Sequence, residues 1–225
     1  MARIDNNYEL NKIAESKITD FLLKYCYPFL FDSAERIDDK ERQQRGIDVI
    51  AIKDGWSETH DIKAQCSARY LNHPTPTFVY ELLTYQYRNE TIGWALKDSD
   101  TETYALCWIP KADVDEKGQL IDAEHIYEVE VMFVDKTNLD EYLESIGATK
   151  EILLARARDM AKTKIHRIIP VTDSADTDEM HISYSDDLKE KSINLVIKKR
   201  VLKRFAYKHV RVTQNGITEI DNTLI

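Results

Sequence analysis

The sequence is poor in the residues that punctuate and cross-link a chain. Its 225 residues include six glycines, five prolines and three cysteines. So little glycine leaves no phosphate-cradling loop. Neither GxxxxGK[ST] nor GxGxxG occurs, which excludes P-loop NTPases and ordinary dinucleotide-binding enzymes. The serine elbow GxSxG and the zinc-protease pattern HExxH are absent as well. Cys26, Cys66 and Cys107 are widely spaced and form no CxxC pair. They read as reduced, buried thiols, not as a thiolate zinc site or a redox dithiol. No apolar run reaches the roughly 18 residues needed to cross a bilayer. No charged segment followed by an apolar run opens the chain. A protein without a secretory leader, in the cytoplasm and away from membranes, is therefore expected.

What is present is charge. There are 40 acidic and 31 basic side chains, a formal net of −9, and 43% of residues are apolar. That composition supports a packed core and argues against a chain coated in positive charge. The charge is unevenly spread. Residues 97–144 hold 14 acids and four lysines, a net of −10. Residues 189–211 hold nine Lys and Arg against one acid, a net of +8. Within this basic stretch, Lys198, Lys199, Arg200, Lys203 and Arg204 suit a nucleic-acid backbone. An amphipathic helix packed through Val201, Leu202 and Phe205, with a solvated cationic face, accounts for the same residues. Arg42 and Arg45, in a polar stretch, are candidates for phosphate contact and equally fit an exposed loop.

Periodicity gives the organisation. Leu10, Ile13, Ala14, Ile18, Phe21, Leu22 and Tyr25 predict a helix over 7–25. Residues 32–45 read as an exposed connection. The β-branched run Gly46 to Ile52, the turn signal Asp54-Gly55, and Thr59 to Cys66 predict a hairpin over 46–66. Further strands are expected at 77–87, 103–109, 128–134, 192–197 and 207–213. Helices are expected near 138–145, 149–163 and 198–206, with a polar loop over 171–187. This order predicts an α/β or α+β domain with a mixed central sheet. A core over 1–165 and a C-terminal helical and strand extension over 166–225 are expected, the extension packed on the same domain.

The informative segment is 46–65. Side chains alternate along a strand, so Asp61, Lys63 and Gln65 share one face while Ile62 and Ala64 share the other. Antiparallel pairing brings Asp48 to the face of Asp61. Adjacent carboxylates repel, and a hard divalent cation resolves the conflict. An acid-x-Lys triplet is weak alone, and the chain has five. Asp61-Ile62-Lys63 is distinguished by the preceding strand with an acid at its start and by Gln65 two residues later. A surface hairpin with a cross-strand ion pair is the plain structural reading of these residues. His60 points to the opposite strand face, and the other histidines show no ligand spacing.

The pattern Gly46-Ile47-Asp48, a hairpin, then Asp61-Ile62-Lys63-Ala64-Gln65 resembles the PD-(D/E)xK nuclease superfamily, the restriction-endonuclease-like fold. Ile47 stands where the first motif has proline. Ala14-Glu15 resembles the Ala-Glu pair often found in the first helix of such proteins. Phe78 to Leu82, Gly93-Trp94 and Thr103 to Trp108 look like their later strands. The resemblance covers about 8–135. It implies a restriction-endonuclease-like core, a mixed central sheet flanked by helices. It implies a Mg²⁺- or Mn²⁺-dependent DNA endonuclease in which Asp48 and Asp61 hold the metal. Lys63 assists the attacking water, Gln65 orients the site, and Glu15 approaches it. Cutting both strands makes a homodimer a reasonable expectation. The alternative is a nuclease-fold protein that binds nucleic acid or scaffolds a complex without turnover.

Overall fold

The structure is a computed structural model that describes residues 6–86, 89–163, 168–173, 176, 178–185 and 191–220. Its elements in chain order are α1 (Asn6–Tyr25), α2 (Tyr27–Leu30), β1 (Ser33–Arg36), α3 (Lys40–Gln44), β2 (Val49–Lys53), β3 (Trp56–Gln65), β4 (Thr77–Gln86), β5 (Asn89–Ile92), β6 (Thr103–Ala112), β7 (Ile126–Asp135), α4 (Lys136–Ser145), α5 (Lys150–Thr163), β8 (Ile169–Pro170), β9 (Met180–Ser185), β10 (Lys191–Lys198), α6 (Lys199–Leu202), β11 (Ala206–Thr213) and β12 (Gly216–Glu219). A single 3-10 turn, Ala123–His125, precedes β7. The architecture is α+β, with helices flanking mixed and antiparallel sheets. Among the described residues no helix is long and apolar enough to cross a membrane.

The chain forms two compact units, each assembled from separate stretches. The first gathers described residues of 1–75, 99–136 and 205–225. Its sheet has the order β1-β2-β3-β6-β7-β11-β12. Strands β3 and β6 are parallel and the other pairs antiparallel. The second gathers described residues of 76–98 and 137–204. Its sheet is antiparallel, in the order β5-β4-β10-β9-β8, with α5 packed against β4, β9 and β10.

In the first unit, α1 forms because its apolar residues recur on one stripe. Ala14, Ile18, Phe21 and Leu22 are buried against alternate residues of the strands: Val49 and Ala51, Ile62, Ala105 and Cys107, Val129 and Val131, Val210 and Val212. Pro28 lies in the first turn of α2, where its missing N–H leaves no hydrogen bond unmade. The hairpin turns at Asp54 and Gly55, with φ of 51° and 81°. Two consecutive positive φ values are what a two-residue hairpin turn of matching twist requires, and glycine supplies one without strain. This turn sets the register Lys53↔Trp56 through Val49↔His60. Strand β6 is buried along Thr103–Ile109, which suits its central place in the sheet.

Several sequence expectations need revision. The polar stretch 32–45 is not all connection: it contains β1, paired antiparallel to β2, and α3, capped by the Asp39 carboxylate. Strand β1 is an edge strand of four residues, too short to show periodicity. The polar stretch 171–187 contains β9, whose Met180 and Ile182 alternate inward. The expected helix at 198–206 is the single turn α6. Strand β4, expected among the later strands of the core, pairs with β5 and β10 in the second unit's sheet. Trp94 packs its ring 5.0 Å from that of Tyr80 there.

If α1 secures the first unit's sheet by burial, Phe21→Ala should cost about 3–5 kcal/mol in urea unfolding. Ile13→Ala, at a position 50% exposed, should change stability by no more than about 0.5 kcal/mol. Equal effects would contradict this packing.

Candidate active site

The open end of the β2–β3 hairpin, opposite its tight turn, carries the site. The backbone N–H of Asp48 donates to the His60 carbonyl at 2.9 Å. The Asp48 carboxylate reaches across the strands and accepts the Ile62 N–H at Oδ2, also at 2.9 Å. Since Val49 is paired with His60, the antiparallel register places Asp48 beside Asp61. Asp61 is 4% exposed. Its Oδ1 lies 2.5 Å from Lys63 Nζ, the two side chains projecting from one face of β3. Glu15 arrives from α1 to stand beside the Ala64 backbone, Lys63 and Asp48. The three acids and the lysine expected from sequence are thus brought together by three elements of the same unit.

Electrostatics follow from the crowding. Burial pushes the Asp61 carboxyl up to about 8; Lys63 opposes this and Asp48 adds to it. Burial also raises the Glu15 carboxyl, with Lys63 opposing and Asp48 reinforcing. For Lys63, burial alone would favour the neutral amine. The charges of Asp61, Glu15 and Asp48 outweigh it and hold the ammonium above the ordinary lysine value. Lysine therefore stays charged while burial favours the neutral form of Asp61 and Glu15.

The floor of the site is rigid. Gly46 has a φ of +78°, and a Cβ there would stand 2.5 Å from Thr101 Oγ1 and 3.7 Å from Asp61 Oδ2. Only glycine allows the chain to enter Asp48 so close to the 99–101 loop, where Thr101 Oγ1 donates to the Gly46 carbonyl at 2.7 Å.

Gln65 shares the strand face of Asp61 and Lys63 and is buried. Its amide is engaged with Thr75: Nε2 donates to Thr75 Oγ1 at 2.9 Å, and Oε1 accepts the Thr75 N–H at 3.1 Å. Of the two candidate arginines before β2, Arg45 is ion-paired with Asp100 at 2.5 Å. The Arg42 side chain is exposed and forms no ion pair among the described residues. Lys198, Lys199, Arg200, Lys203 and Arg204 all belong to the second unit. There Arg200 lies 3.4 Å from Glu179, and the Arg204 guanidinium sits 4.7 Å from the Tyr142 ring centroid. Lys189, part of the same basic stretch, lies outside the described residues.

No local signal marks a second polar group, which lies on the other face of β3. His60 Nδ1 is 2.9 Å from the Tyr27 hydroxyl and Nε2 is 3.3 Å from Glu58. Thr103 and Tyr207 hydroxyls donate to the same Glu58 carboxylate. Burial would raise Glu58, but the neighbouring His60 ring and the hydrogen bonds from Thr103 and Tyr207 hold it below its ordinary value. His60 is fully enclosed, so this group fastens α2, β3, β6 and β11 from within. Strand alternation places His60 away from Asp61, but only the fold supplies its partners.

Among the described residues no group of three or more His, Cys, Asp or Glu side chains is arranged to ligate an ion. Mg²⁺ needs fewer, since it is commonly held by one or two carboxylates, water and substrate phosphate. Asp48 and Asp61 fit that role. Both are hard-oxygen donors, and burial first, with Asp48 adding to it, raises the Asp61 carboxyl, so a nearby positive charge would favour the ionised form. No family model, curated protein or solved structure matches the chain.

The pH response follows directly. Folded Asp61 holds its proton to about pH 8, whereas an unfolded aspartate loses it near about 3.9. Between these limits the native state binds more protons than the unfolded one, so stability falls as pH rises. Relative to Asp61→Asn, the wild type should lose stability between about pH 5.5 and 8, by at most about 1.4 kcal/mol per pH unit. Chemical denaturation of both proteins across that range measures it; parallel curves would contradict a retained proton at Asp61.

Proposed function

We propose that the protein is a metal-dependent DNA endonuclease with a restriction-endonuclease-like core. The observation that carries this reading is the meeting of Glu15, Asp48, Asp61 and Lys63 from α1, the start of β2, and β3. Three carboxylates, that of Asp61 buried and those of Glu15 and Asp48 half-buried, around one ammonium are expensive for a purely structural role. It is well suited to a site that handles a divalent cation and a phosphodiester. Asp48 and Asp61 would hold Mg²⁺ or Mn²⁺. When bound, the ion supplies a lowered pKa for its water and charge neutralisation at the phosphate.

The remaining work falls to side chains of this chain. Lys63, kept charged by its carboxylate neighbours, faces the charge that develops on the phosphate oxygens as water attacks. Glu15, whose carboxyl holds its proton more tightly than an ordinary glutamate, exchanges a proton with water at the edge of the site. The Asp48 hydrogen bond from the Ile62 N–H fixes one carboxylate. Gln65, fastened to Thr75, stiffens the strand that carries the other two groups.

A second reading, a nuclease-fold protein that binds nucleic acid or scaffolds without turnover, draws on one feature. The Lys63 ammonium already stands 2.5 Å from Asp61, where a cation would otherwise sit. The two readings part in one assay. Incubated with plasmid or branched DNA and Mg²⁺ or Mn²⁺, the wild type should nick or linearise the substrate. Asp61→Asn and Lys63→Ala should each lower the rate by about 100-fold or more. By calorimetry, Lys63→Ala should still bind the cation and Asp61→Asn should bind it poorly. Wild-type protein that behaves like Asp61→Asn in both measurements favours the scaffold.

A further inference from the structure

An acidic site cannot attract a polyanion unaided, and several basic groups near it are already occupied. Lys63 is tied to Asp61, Arg45 to Asp100, and the Lys17 ammonium to the Leu120 carbonyl at 2.6 Å. A cation that remains available is Arg69. It is exposed, and its guanidinium has no hydrogen bond or ion pair among the described residues. The Tyr70 ring centroid lies 5.7 Å from it.

The position of Arg69 is set by the fold. In an antiparallel hairpin the start of one strand and the end of the other lie together. The entrance to β2 at Asp48 and the exit of β3 after Gln65 therefore share the end of the hairpin remote from Asp54-Gly55. The N-terminal half of α1 lies at the same end, where Glu15 meets Ala64 and Cys66 Sγ lies 3.9 Å from Asn11. Arg69 follows Lys63 by six residues, and Arg42 precedes Asp48 by six. The chain leaves the reacting strand and at once presents Arg69.

The segment bearing Arg69 is held at several points. The Gln65 amide clasps Thr75 from both its ends. Asn72, with a φ of 64°, clasps Ala112 of β6 the same way: its Oδ1 accepts the Ala112 N–H at 2.7 Å, and its Nδ2 donates to the Ala112 carbonyl at 3.0 Å. Leu71 is buried between these clasps, and the Tyr70 and Leu71 N–H groups both donate to the Ser67 carbonyl. Six hydrogen bonds and a core side chain are a large investment for a surface connection. A loop fixed in this way presents its charged residue at low entropic cost on binding.

From this we infer that the 67–75 loop is a substrate-binding loop, with Arg69 contacting the phosphate backbone of DNA next to the bond positioned at Asp61 and Lys63. The inference rests on the nuclease reading and adds to it the residue that places the substrate. Guanidinium suits the role because its planar fork matches two phosphate oxygens and stays charged at every working pH.

The test is fluorescence anisotropy with a labelled DNA duplex and the full chain, with Ca²⁺ replacing Mg²⁺ to suppress turnover. Arg69→Glu should weaken binding about 10-fold or more at roughly 100 mM salt, and Arg69→Ala should lower the slope of log affinity against log salt by about 1. Neither change should alter the thermal midpoint. Lys53→Glu, at the end of β2 beside the tight turn, should bind as the wild type does. The inference is overturned if Arg69→Glu binds with wild-type affinity and slope, if Lys53→Glu weakens binding equally, or if the wild type binds no duplex. Cleavage is scored separately. Binding that depends on Arg69 in a protein that never cleaves would remove the nuclease reading and leave the contact. Cleavage with no dependence on Arg69 would do the reverse.

Discussion

The structure turns on a buried ion pair that does not balance. Lys63 meets Asp61 at 2.5 Å, but Asp48 and Glu15 press on the same ammonium. One positive charge faces three carboxylates at a partly buried site, and the burial of Asp61, reinforced by Asp48, pushes its carboxyl up to about 8. A core that served stability alone would replace such a group with apolar side chains of similar volume. Its presence means that the surrounding fold must force the groups together. The hairpin register, the Ile62 N–H on Asp48 and the left-handed Gly46 all act to that end.

Strand β3 separates two environments by alternation alone. Ile62 joins the apolar layer under α1, while Asp61, Lys63 and Gln65 occupy the reverse face. The apolar layer draws on α1 and most strands of the first unit's sheet. Its burial supplies the stabilisation that offsets the crowded charges, since apolar area is the main favourable term in folding. The polar group around His60 lies on this same side and is fully partnered at Nδ1 by Tyr27. Buried polarity on one face fastens elements. On the other it gathers three carboxylates around one ammonium.

How legible this was in the sequence depended on whether a feature is local. The helix at 7–25 and the hairpin at 46–66 were readable because a 3.6-residue stripe and an Asp-Gly turn are written in neighbouring residues. The pairing of Asp48 with Asp61 was readable because hairpin register follows from the turn. Strand β1 was hidden, since four residues of mixed polarity carry no period. Nothing local says that Thr77–Gln86 leaves the first unit to pair with Lys191–Lys198, more than a hundred residues later. Nor does spacing reveal that Gln65 is engaged by Thr75 or Arg45 by Asp100. Residue type and strand face survive translation from sequence to structure; partners set by long-range contacts do not. The resemblance to PD-(D/E)xK nucleases rests on the local part alone.

The central claim is that Asp48 and Asp61 form one cation site and that Lys63 shares it. A crystal structure of the protein soaked in Mn²⁺, with anomalous data, tests this most directly. One ion bonded to an oxygen of each carboxylate is expected, with Lys63 Nζ drawn away from Asp61 Oδ1. An ion bound elsewhere, or no ion with the 2.5 Å Lys63–Asp61 contact intact, would contradict it.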